Sequence, residues 1–283
     1  MNRKLACLTI DMEPDYGDPD GHIRLLETQE YFERYTDIIN RHQAKVTMFT
    51  VTSLFERFGE HFERLAKSIP LEFAAHSHTH DPANGATRDE VVTAADVIKR
   101  INGKGPLGYR APYGQMTKDG LGHIMDAGYQ YDASVYTSVR PGKFGYVNLH
   151  VPNIPFRIKR GDESLVEFPF TSLSHVRIVF GLSYAKLLGW GLYGSLLRAF
   201  GLPEIALSLS HPHDFYFHRL AAFHSASPER LALSRNAKRA FDYYDKILTE
   251  LRRKGYEFTF LSEAFEYVQS HTDLQEYDLA SWQ

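Results

Sequence analysis

The sequence predicts a single α/β domain in which parallel strands alternate with helices, and three observations support this. Short apolar runs alternate with longer amphipathic runs along most of the 283 residues, as expected for βαβ units. About seven or eight such units fit a closed or nearly closed barrel better than an open sheet. No linker-like stretch divides residues 1–283, so we predict one domain with a poorly patterned tail from about residue 271.

The predicted strands are the short apolar runs. The first, residues 4–10, ends at the charged Asp11, and the third, residues 69–75, ends at a cluster of histidines. Residues 138–161 contain Pro and Gly among polar residues, a composition typical of an irregular loop. The remaining strands are assigned to residues 45–51, 107–109, 129–135, 165–168, 205–209 and 256–260.

The predicted helices follow from the spacing of their apolar residues. Within residues 28–42, Phe32, Tyr35, Ile38 and Ile39 keep the three-to-four spacing of one buried face. Another helix is predicted to begin at Thr-Arg-Asp-Glu in residues 87–90, which has the form of a capping box, and to end near residue 103. Further helices are assigned to residues 53–67, 117–127 and 228–254 and to a segment after residue 260.

The composition restricts the classes of partner. With 43% hydrophobic and 24% charged residues, the chain is typical of a soluble globular enzyme. Its formal charge of −3 gives no electrostatic basis for binding nucleic acid. The single cysteine, Cys7, excludes an internal disulfide and suits a reducing compartment. Since the apolar run 5–10 is too short for a secretory signal, we expect a cytoplasmic protein.

The most apolar segment, residues 178–209, bears on membrane contact. Lys186, Pro203 and Glu204 interrupt it, which argues against a membrane-spanning helix. Residues 180–200 nevertheless have almost no polar face, and such a helix is usually buried in a core or an interface. The other interpretation is a peripheral element that faces the inner side of the membrane and brings a polyprenyl-linked sugar to the site.

Three histidines at alternate positions form the most informative motif. His76, His78 and His80 follow the apolar run 69–75, and parallel α/β enzymes place their sites at strand ends. One tight turn would bring His76 and His80 onto one metal ion, whereas an extended strand would align all three side chains on one face. Either arrangement predicts an imidazole-rich site at this strand end.

Other strand ends supply groups that would complete a hydrolytic metal site. Strand alternation places Asp11 and Glu13 on one face and turns Met12 away. Two imidazoles and one carboxylate make a three-ligand metal site that leaves a position for water. A second carboxylate would take the proton of that water, and a separate histidine would protonate the leaving nitrogen. Further candidates at or near strand ends are Arg110, Pro112, Tyr113, Asp132, His211 and His213.

At these residues the sequence resembles the polysaccharide deacetylases, the NodB-homology group of carbohydrate esterase family 4. Five segments carry the resemblance in the family's order and span residues 5 to about 262, most of the chain. The second and third segments are the most specific. The five are Thr9-Ile10-Asp11-Met12-Glu13, His76-Ser77-His78-Thr79-His80, Arg110-Ala111-Pro112-Tyr113-Gly114, Tyr131-Asp132 and Leu209-Ser210-His211.

The resemblance implies a fold and a set of catalytic roles. The fold would be a distorted (β/α) TIM-like barrel of about seven parallel strands. Asp11 would be the general base, tethered by Arg110 with support from Asp132, and His211 would be the general acid. The backbone at Tyr113 would help to bind the tetrahedral oxyanion.

The metal ligands are where the sequence departs from the family pattern. His76 and His80 would bind one divalent ion, usually zinc, although cobalt, nickel or iron would fit similar geometry. The family's metal carboxylate corresponds to Met12 here, and a thioether is a poor zinc ligand. In branches with a D-x-D or D-x-E form the carboxylate comes two residues after the base, which predicts Glu13 as the ligand, with Asp15 as the alternative.

The D-x-E form resembles intracellular branches of the family, so the substrate expected is an N-acylated amino sugar or glycan, including lipid-linked forms. Pro112 and His213 are expected to contact it beside Tyr113. The leading hypothesis is a metal-dependent N-deacetylase, or N-deformylase, of cell-surface glycan biosynthesis. Two alternatives stay open: a cyclic amide or ureide hydrolase on the same fold, and a glycan-binding homologue with weak or no turnover.

Overall fold

The structure, a computed structural model, describes residues 3–81, 83–105, 107–140, 145–216 and 233–282. A ten-stranded sheet forms its centre, and β6 and β7 form a separate two-stranded ladder. The strands are β1 (Leu5–Met12), β2 (Val46–Thr50), β3 (Leu71–Ala75), β4 (Gly108–Tyr109), β5 (Tyr131–Asp132), β6 (Val139–Arg140), β7 (Tyr146–Val147), β8 (Phe156–Arg160), β9 (Glu163–Glu167), β10 (Ile205–Ser210), β11 (Glu257–Phe258) and β12 (Glu276–Asp278).

Helices follow most of the strands, as the alternating pattern predicts. Each longer helix buries one face against the sheet, and the opposite face carries its charged residues. The helices are α1 (Arg24–Glu27), α2 (Gln29–Arg41), α3 (Phe55–Ser68), α4 (Arg88–Asn102), α5 (Lys118–Asp126), α6 (Leu182–Leu188), α7 (Trp190–Phe200), α8 (Ala240–Arg253) and α9 (Leu261–His271).

The sheet is mostly parallel, which confirms the predicted α/β class. Its strand order is β10-β1-β2-β3-β4-β5-β9-β8-β12, with β11 paired to β1, and only the β8–β9 pair among these is antiparallel. No continuous ladder closes the sheet within the described residues. Between the ends of β5 and β9 and the strand β10 there are three isolated bridges. They are Tyr136–Phe170, Ser172–Val179 and Gly181–Leu209, and Leu209 belongs to β10.

The sheet curls enough for its distant strands to share one core. Apolar side chains from β1, β2, β3, β5, β9 and β10 meet in a single buried cluster with α9. Leu5 and Cys7 of β1 belong to this cluster, whereas Leu8, Ile10 and Met12 pack in another buried cluster with side chains of the helices. All eight residues of β1 are buried, as is typical of a parallel strand covered on both faces.

Several predicted elements differ from the structure in their bounds. The strand predicted over 129–135 is reduced to β5, because the backbone leaves the ladder after Asp132. Residues 138–161, predicted as irregular loop, contain β6, β7 and β8, and the tail contains β12, which pairs with β8. Such short strands leave little periodicity in the sequence. The helix predicted from 228 begins as α8 at Ala240, and residues 217–232 lie outside the described residues.

The apolar segment 180–200 forms two helices, α6 and α7, separated at Gly189. Gly189 has a φ of +78°, which breaks the helical path. Tyr193 and Leu197 are buried, while Leu192 is 53% exposed, so the segment packs one face on the core. Among the described helices, none combines the length and the apolar character needed to cross a bilayer.

Candidate active site

The carboxyl ends of the strands surround a cavity of about 340 Å³. Because β1 alternates, the residues that continue the face of Leu5 and Cys7 at its end are Asp11 and Glu13, while Met12 points into the helix-side core. One wall of the cavity is polar and contains most of the predicted site. That wall is formed by Asp11, Glu13, His76, His80, His211 and His213.

Glu13, His76 and His80 form a cluster suited to a metal ion. Their ligand atoms all lie within 4.8 Å of one another. Glu13 Oε2 is 2.6 Å from His80 Nε2 and 4.0 Å from His76 Nε2. Two imidazole nitrogens and one carboxylate oxygen are the donor set of many zinc sites, so these residues fit a divalent metal.

The histidine motif forms a tight turn and not an extended strand. The strand β3 ends at Ala75, and Ser77 and His80 both adopt left-handed backbone conformations, with φ of +60° and +64°. The Ser77 hydroxyl accepts a hydrogen bond from the His80 N–H at 3.0 Å. The turn brings the rings of His76 and His80 within 4.9 Å of each other. His78 points elsewhere, and its Nδ1 is 3.0 Å from Thr52 Oγ1.

Glu90 holds this turn from α4, a role that the sequence did not indicate. Its carboxylate accepts hydrogen bonds from the backbone N–H groups of His78 and Thr79, both at 2.8 Å. The predicted capping box is therefore wrong, although α4 does begin after Thr87. The Thr87 side chain makes no capping hydrogen bond, and Glu90 turns outward to the histidine loop.

His76 is oriented by the backbone of the neighbouring strand end. Its Nδ1 lies 2.8 Å from the carbonyl oxygen of Arg110, and a carbonyl only accepts, so Nδ1 carries the hydrogen. Nε2 is then a lone-pair donor that faces Glu13. Burial lowers the pKa of His76 to about 4, which keeps the ring neutral as a metal ligand requires.

The other two members of the cluster are held together by charge. Burial alone would raise the pKa of the Glu13 carboxyl, but the adjacent His80 imidazolium holds it far below the ordinary value. Burial would likewise lower the pKa of His80, and the Glu13 carboxylate reverses this and raises it. The 2.6 Å contact between Glu13 and His80 therefore sets the position of two ligand atoms, and a metal ion bound there would displace the proton of the His80 ring nitrogen.

Asp15, the alternative carboxylate, is engaged outside the cluster. Its Oδ2 is 2.9 Å from Arg24 Nη1, and its Oδ1 accepts a hydrogen bond from the Tyr216 hydroxyl. These contacts turn the side chain toward α1 and away from His76 and His80. The geometry therefore favours Glu13 over Asp15 as the third ligand.

Arg110 fixes Asp11, the predicted base. The Arg110 guanidinium is fully buried and lies between the rings of Phe49 and Phe170, at 3.9 and 4.4 Å from their centroids. Its Nη1 forms an ion pair with Asp11 Oδ1 and also donates to Thr9 Oγ1 at 3.0 Å. The other oxygen, Asp11 Oδ2, stays on the cavity side, 3.9 Å from His76 Nε2.

Asp132 supports this region by a different route from the predicted one. Within the described residues, no hydrogen bond joins it to the Arg110 guanidinium. Its Oδ1 accepts from Ser134 Oγ at 2.7 Å, and that hydroxyl accepts from the Ala111 N–H at 2.8 Å. Asp132 therefore positions the backbone that follows Arg110.

Asp132 also shares a buried proton with Glu167. The two residues are opposite each other on β5 and β9 and are both fully buried. Burial raises the pKa of both carboxyls, and the charge of Asp132 raises that of Glu167 further, well above its ordinary value. The raised pKa of Glu167 favours its protonated form, which can donate to Asp132. This pairing accounts for Asp132 Oδ2 and Glu167 Oε2, which have no other partner.

His211 is held by Asp214, an acidic neighbour outside the predicted set of site residues. Its Nδ1 lies 3.1 Å from Asp214 Oδ2, which also accepts from the His211 backbone N–H at 3.0 Å. The opposite Asp214 oxygen lies 3.5 Å from Nζ of Lys186, and both side chains are fully buried. Burial would lower the pKa of His211, but Asp214 raises it to about 9, so the ring is protonated at neutral pH.

Of the three predicted substrate contacts, two line the cavity and the third does not. Tyr113 and His213 line the cavity, and Tyr113 adopts a left-handed φ of +56°. Burial lowers the pKa of His213 to about 4, so its ring is neutral. Pro112 is not among the described residues that line the cavity. Its ring packs behind the site against Gly85. A Cβ atom added at Gly85 would lie only 2.5 Å from Pro112 Cδ, so the two residues are in close contact.

Sequence comparison adds to this geometry. Residues 1–131, which contain the first three motifs, match the family model described as polysaccharide deacetylase. This part of the chain is similar to the polysaccharide deacetylase family. The predicted resemblance is therefore confirmed. A search of curated protein sequences found no match.

Solved structures show that the polysaccharide deacetylase fold extends over the whole chain. A protein from Mycobacterium smegmatis assigned as a polysaccharide deacetylase aligns with 97% of this chain and 94% of its own, at a TM-score of 0.56 and 17% identity. The peptidoglycan N-acetylglucosamine deacetylase Bc1960 aligns with 97% of this chain and 91% of its own, at a TM-score of 0.55 and 16% identity. BA3943 from Bacillus anthracis, a pseudoenzyme of carbohydrate esterase family 4, aligns with 98% of this chain and 70% of its own. The TM-score is 0.52 and the sequence identity 13%. At these identities the likeness establishes the fold alone.

Proposed function

We propose that the chain is a metal-dependent hydrolase that removes an N-acetyl or N-formyl group from an amino sugar in cell-surface polysaccharide or lipid-linked glycan biosynthesis. One observation carries the proposal: a metal-type cluster, a tethered carboxylate and a protonated histidine face one cavity. Asp11 Oδ2 lies 3.9 Å from His76 Nε2 and 3.8 Å from His211 Nε2. An acid and a base on either side of a bound amide are what its hydrolysis requires.

A divalent metal, which we propose to be zinc, would be held by Glu13, His76 and His80. When bound there it would polarise the acyl carbonyl and lower the pKa of a water molecule. The donor set fits, because His76 is neutral and its Nδ1–H is held by a backbone carbonyl.

The residues of the chain then divide the proton transfers. Asp11, positioned by Arg110 at Oδ1, accepts the proton of the attacking water at Oδ2, the oxygen that Arg110 leaves free. His211, which carries its proton on Nε2 because Asp214 binds Nδ1, donates that proton to the leaving amine. The backbone at Tyr113, at the rim of the same cavity, is proposed to bind the oxyanion.

Replacing Glu13 by Ala tests the metal site directly. We expect about one metal ion per chain in the parent protein after zinc is supplied and loss of this metal from the variant, because a two-histidine site binds weakly. Elemental analysis measures both. Asp15→Asn is the matched control and should keep its metal. Retention of metal by Glu13→Ala with loss by Asp15→Asn would reverse the ligand assignment.

Replacing Asp11 by Asn tests the base. The amide keeps the size of the side chain but cannot accept the proton, so we expect turnover to fall by roughly 10²- to 10⁴-fold while metal content stays at the parental level. Steady-state kinetics and elemental analysis provide the two readouts. Parental activity in this variant would remove Asp11 from the base role.

The substrate class is tested with a panel of free N-acetyl and N-formyl amino sugars, nucleotide sugars, lipid-linked sugars and cyclic amides. The proposal predicts release of acetate or formate from at least one amino sugar. Turnover of cyclic amides alone would favour the alternative hydrolase. Glycan binding without turnover in the metal-loaded protein would favour a binding homologue, and a pseudoenzyme, BA3943, is among the similar structures.

Contact with a membrane is part of this proposal and rests on α6 and α7. Leu187 lines the cavity, and Leu192 and Phe200 of α7 are 53% and 38% exposed. We propose that this surface approaches the cytoplasmic face of the membrane, where a lipid-linked sugar would enter. Flotation with vesicles that contain polyprenyl phosphate measures it, and Leu192→Ser should reduce binding. Equal recovery of both proteins would exclude this surface.

A further inference from the structure

Arg140 is a positively charged residue of the catalytic cavity. It lies outside the family motifs and has no role in the proposed chemistry. It is the last residue of β6, opposite Tyr146 of β7. Its side chain lines the same cavity as Asp11 and Glu13 and is partly buried. The ladder of β6 and β7 therefore places a guanidinium within the space that a substrate would occupy.

Four tyrosine side chains line this cavity together with the Arg140 guanidinium. Burial raises the pKa of Tyr113, Tyr136, Tyr146 and Tyr184, and the positive charge of Arg140 opposes that rise in each case. Tyr136 and Tyr146 stack with their ring centroids 4.7 Å apart. Arg140 therefore shares one cavity with these rings and with the metal-type cluster.

No carboxylate in the described part of the chain forms an ion pair with Arg140. The two acids of the cavity have other partners, since Asp11 is bound by Arg110 and Glu13 by His80. A partly buried cation without a counter-ion loses hydration without compensation. A planar guanidinium in this position matches a phosphate or carboxylate, which it can bind through two parallel hydrogen bonds.

The geometry points to Arg140 as the binding group for an anionic substituent, a phosphate or carboxylate, of the N-acylated amino sugar. This inference rests on the proposed function and narrows it to anionic substrates. The apolar side chains of Leu187, Leu209 and Leu233 on the same cavity offer no competing polar partner for such a group. The amide would lie at the metal-type cluster while Arg140 holds the anion elsewhere on the same cavity.

The experiment compares an anionic sugar with a neutral one. We would measure kcat/KM for N-acetylglucosamine 1-phosphate, for the 6-carboxylate analogue of N-acetylglucosamine and for the neutral methyl glycoside. The parent should prefer an anionic substrate, and Arg140→Met should reduce the anionic-to-neutral ratio by about ten- to hundredfold, the loss expected for a hydrogen bond to a charged group. Arg140→Lys should restore part of the ratio. Arg100→Met, at an exposed position on α4, is the matched control and should not change it.

The phosphate and carboxylate arms distinguish the source of the anion. Preference for the phosphate alone indicates a sugar phosphate, nucleotide-linked or lipid-linked, whereas preference for the carboxylate indicates a uronate. A ratio that stays the same in Arg140→Met overturns the inference, even if both sugars are deacetylated as the proposed function requires.

Calorimetry with the amines that deacetylation would produce gives a readout that does not need turnover. Metal-loaded parent protein should bind glucosamine 1-phosphate or the amino uronate at least about tenfold more tightly than methyl glucosaminide, and Arg140→Met should lose this difference. Equal affinity of the parent for anionic and neutral amines overturns the inference about Arg140. Absence of deacetylation with any sugar, by contrast, counts against the proposed function.

Discussion

At the scale of single residues, the neighbour of each cavity histidine sets its charge. At His76 and His213 burial is the largest influence, and it lowers the pKa of each to about 4 although carboxylates lie nearby. His211 is beside the buried Asp214, which raises its pKa to about 9. Rings of the same chemical type in one cavity thus have different protonation states, which separates a metal ligand from a proton donor.

The pH dependence of turnover should report His211. Its protonated form is the active one, so kcat/KM should stay level through neutral pH and fall as pH rises through about 9. Asp214→Asn removes the charge that raises this pKa, and the alkaline limb should move to lower pH. The groups that face His211 are Asp214, Asp11, Glu13 and His213.

Two variants serve as checks on that profile. Asp242→Asn, an exposed substitution on α8 outside the cavity, should leave the alkaline limb in place. His211→Gln should lower kcat at all pH values, because the glutamine amide cannot transfer a proton to the leaving amine. An alkaline limb that is identical in the parent and in Asp214→Asn would show that another group is the acid.

At the scale of elements, the turn after β3 explains why two of three histidines reach the cluster. Left-handed conformations at Ser77 and His80 cost about 1–3 kcal/mol each. The hydrogen bonds from His78 and Thr79 to Glu90 offset part of this cost. A carboxylate on α4 thereby keeps imidazole nitrogens at the spacing a metal requires.

Replacing Glu90 by Ala should therefore weaken metal binding without removing a ligand. We expect affinity for zinc to fall by about ten- to hundredfold, as is typical when a group that orients ligands is lost. Competition with a chromophoric chelator measures the affinity. Asp89→Ala removes an exposed acid from the same first turn of α4 and controls for the charge at the helix start. Equal affinity in the two variants would exclude Glu90 from this role.

The pairing of β5 with β9 has an energetic consequence of its own. Glu167 keeps its proton in the folded chain at pH values where it would be ionised in the unfolded chain. A carboxyl group whose pKa is higher in the folded chain than in the unfolded chain stabilises the fold less as the pH rises above 4.5, the ordinary pKa of a glutamate. The free energy of unfolding should fall by up to about 1.4 kcal/mol per pH unit between that value and the raised pKa of Glu167 in the folded chain.

Glu167→Gln should remove this dependence, because its amide donates to Asp132 at every pH while its carbonyl accepts from the Val135 N–H. The variant should be more stable than the parent at pH 7, with a difference that grows from pH 5 to pH 8 in urea unfolding. Glu163→Gln, an exposed change on the same strand, is the control. Parallel stability curves for the parent and Glu167→Gln would contradict a shared proton.

At the scale of the whole molecule, the curled sheet is what makes one site from distant segments. Strands from both sides of the sheet share a core with α9, so their carboxyl ends converge. This convergence brings Asp11 within reach of Arg110 and His211, which are separated from it by about one hundred and two hundred residues. The sites of parallel α/β proteins arise in this way from residues that have no local relation.

The sequence by itself determined which residues could take part. Period-two alternation placed Asp11 and Glu13 on one face and Met12 on the other, and the apolar runs located the strand ends that carry His76 and His80. These are local properties, fixed by the backbone geometry of a strand. They were sufficient to predict the α/β class and most of the residues at the cavity.

Only the tertiary structure decided which groups hold those residues in place. Glu90, Glu167, Asp214 and Lys186 lie outside the five motifs, yet they contact motif residues or one another in the folded chain. Arg140 likewise meets the cavity only because β6 pairs with β7. Such contacts leave no periodicity in the sequence. They depend on burial and on charge across the fold, which exist only once the strands and helices have packed.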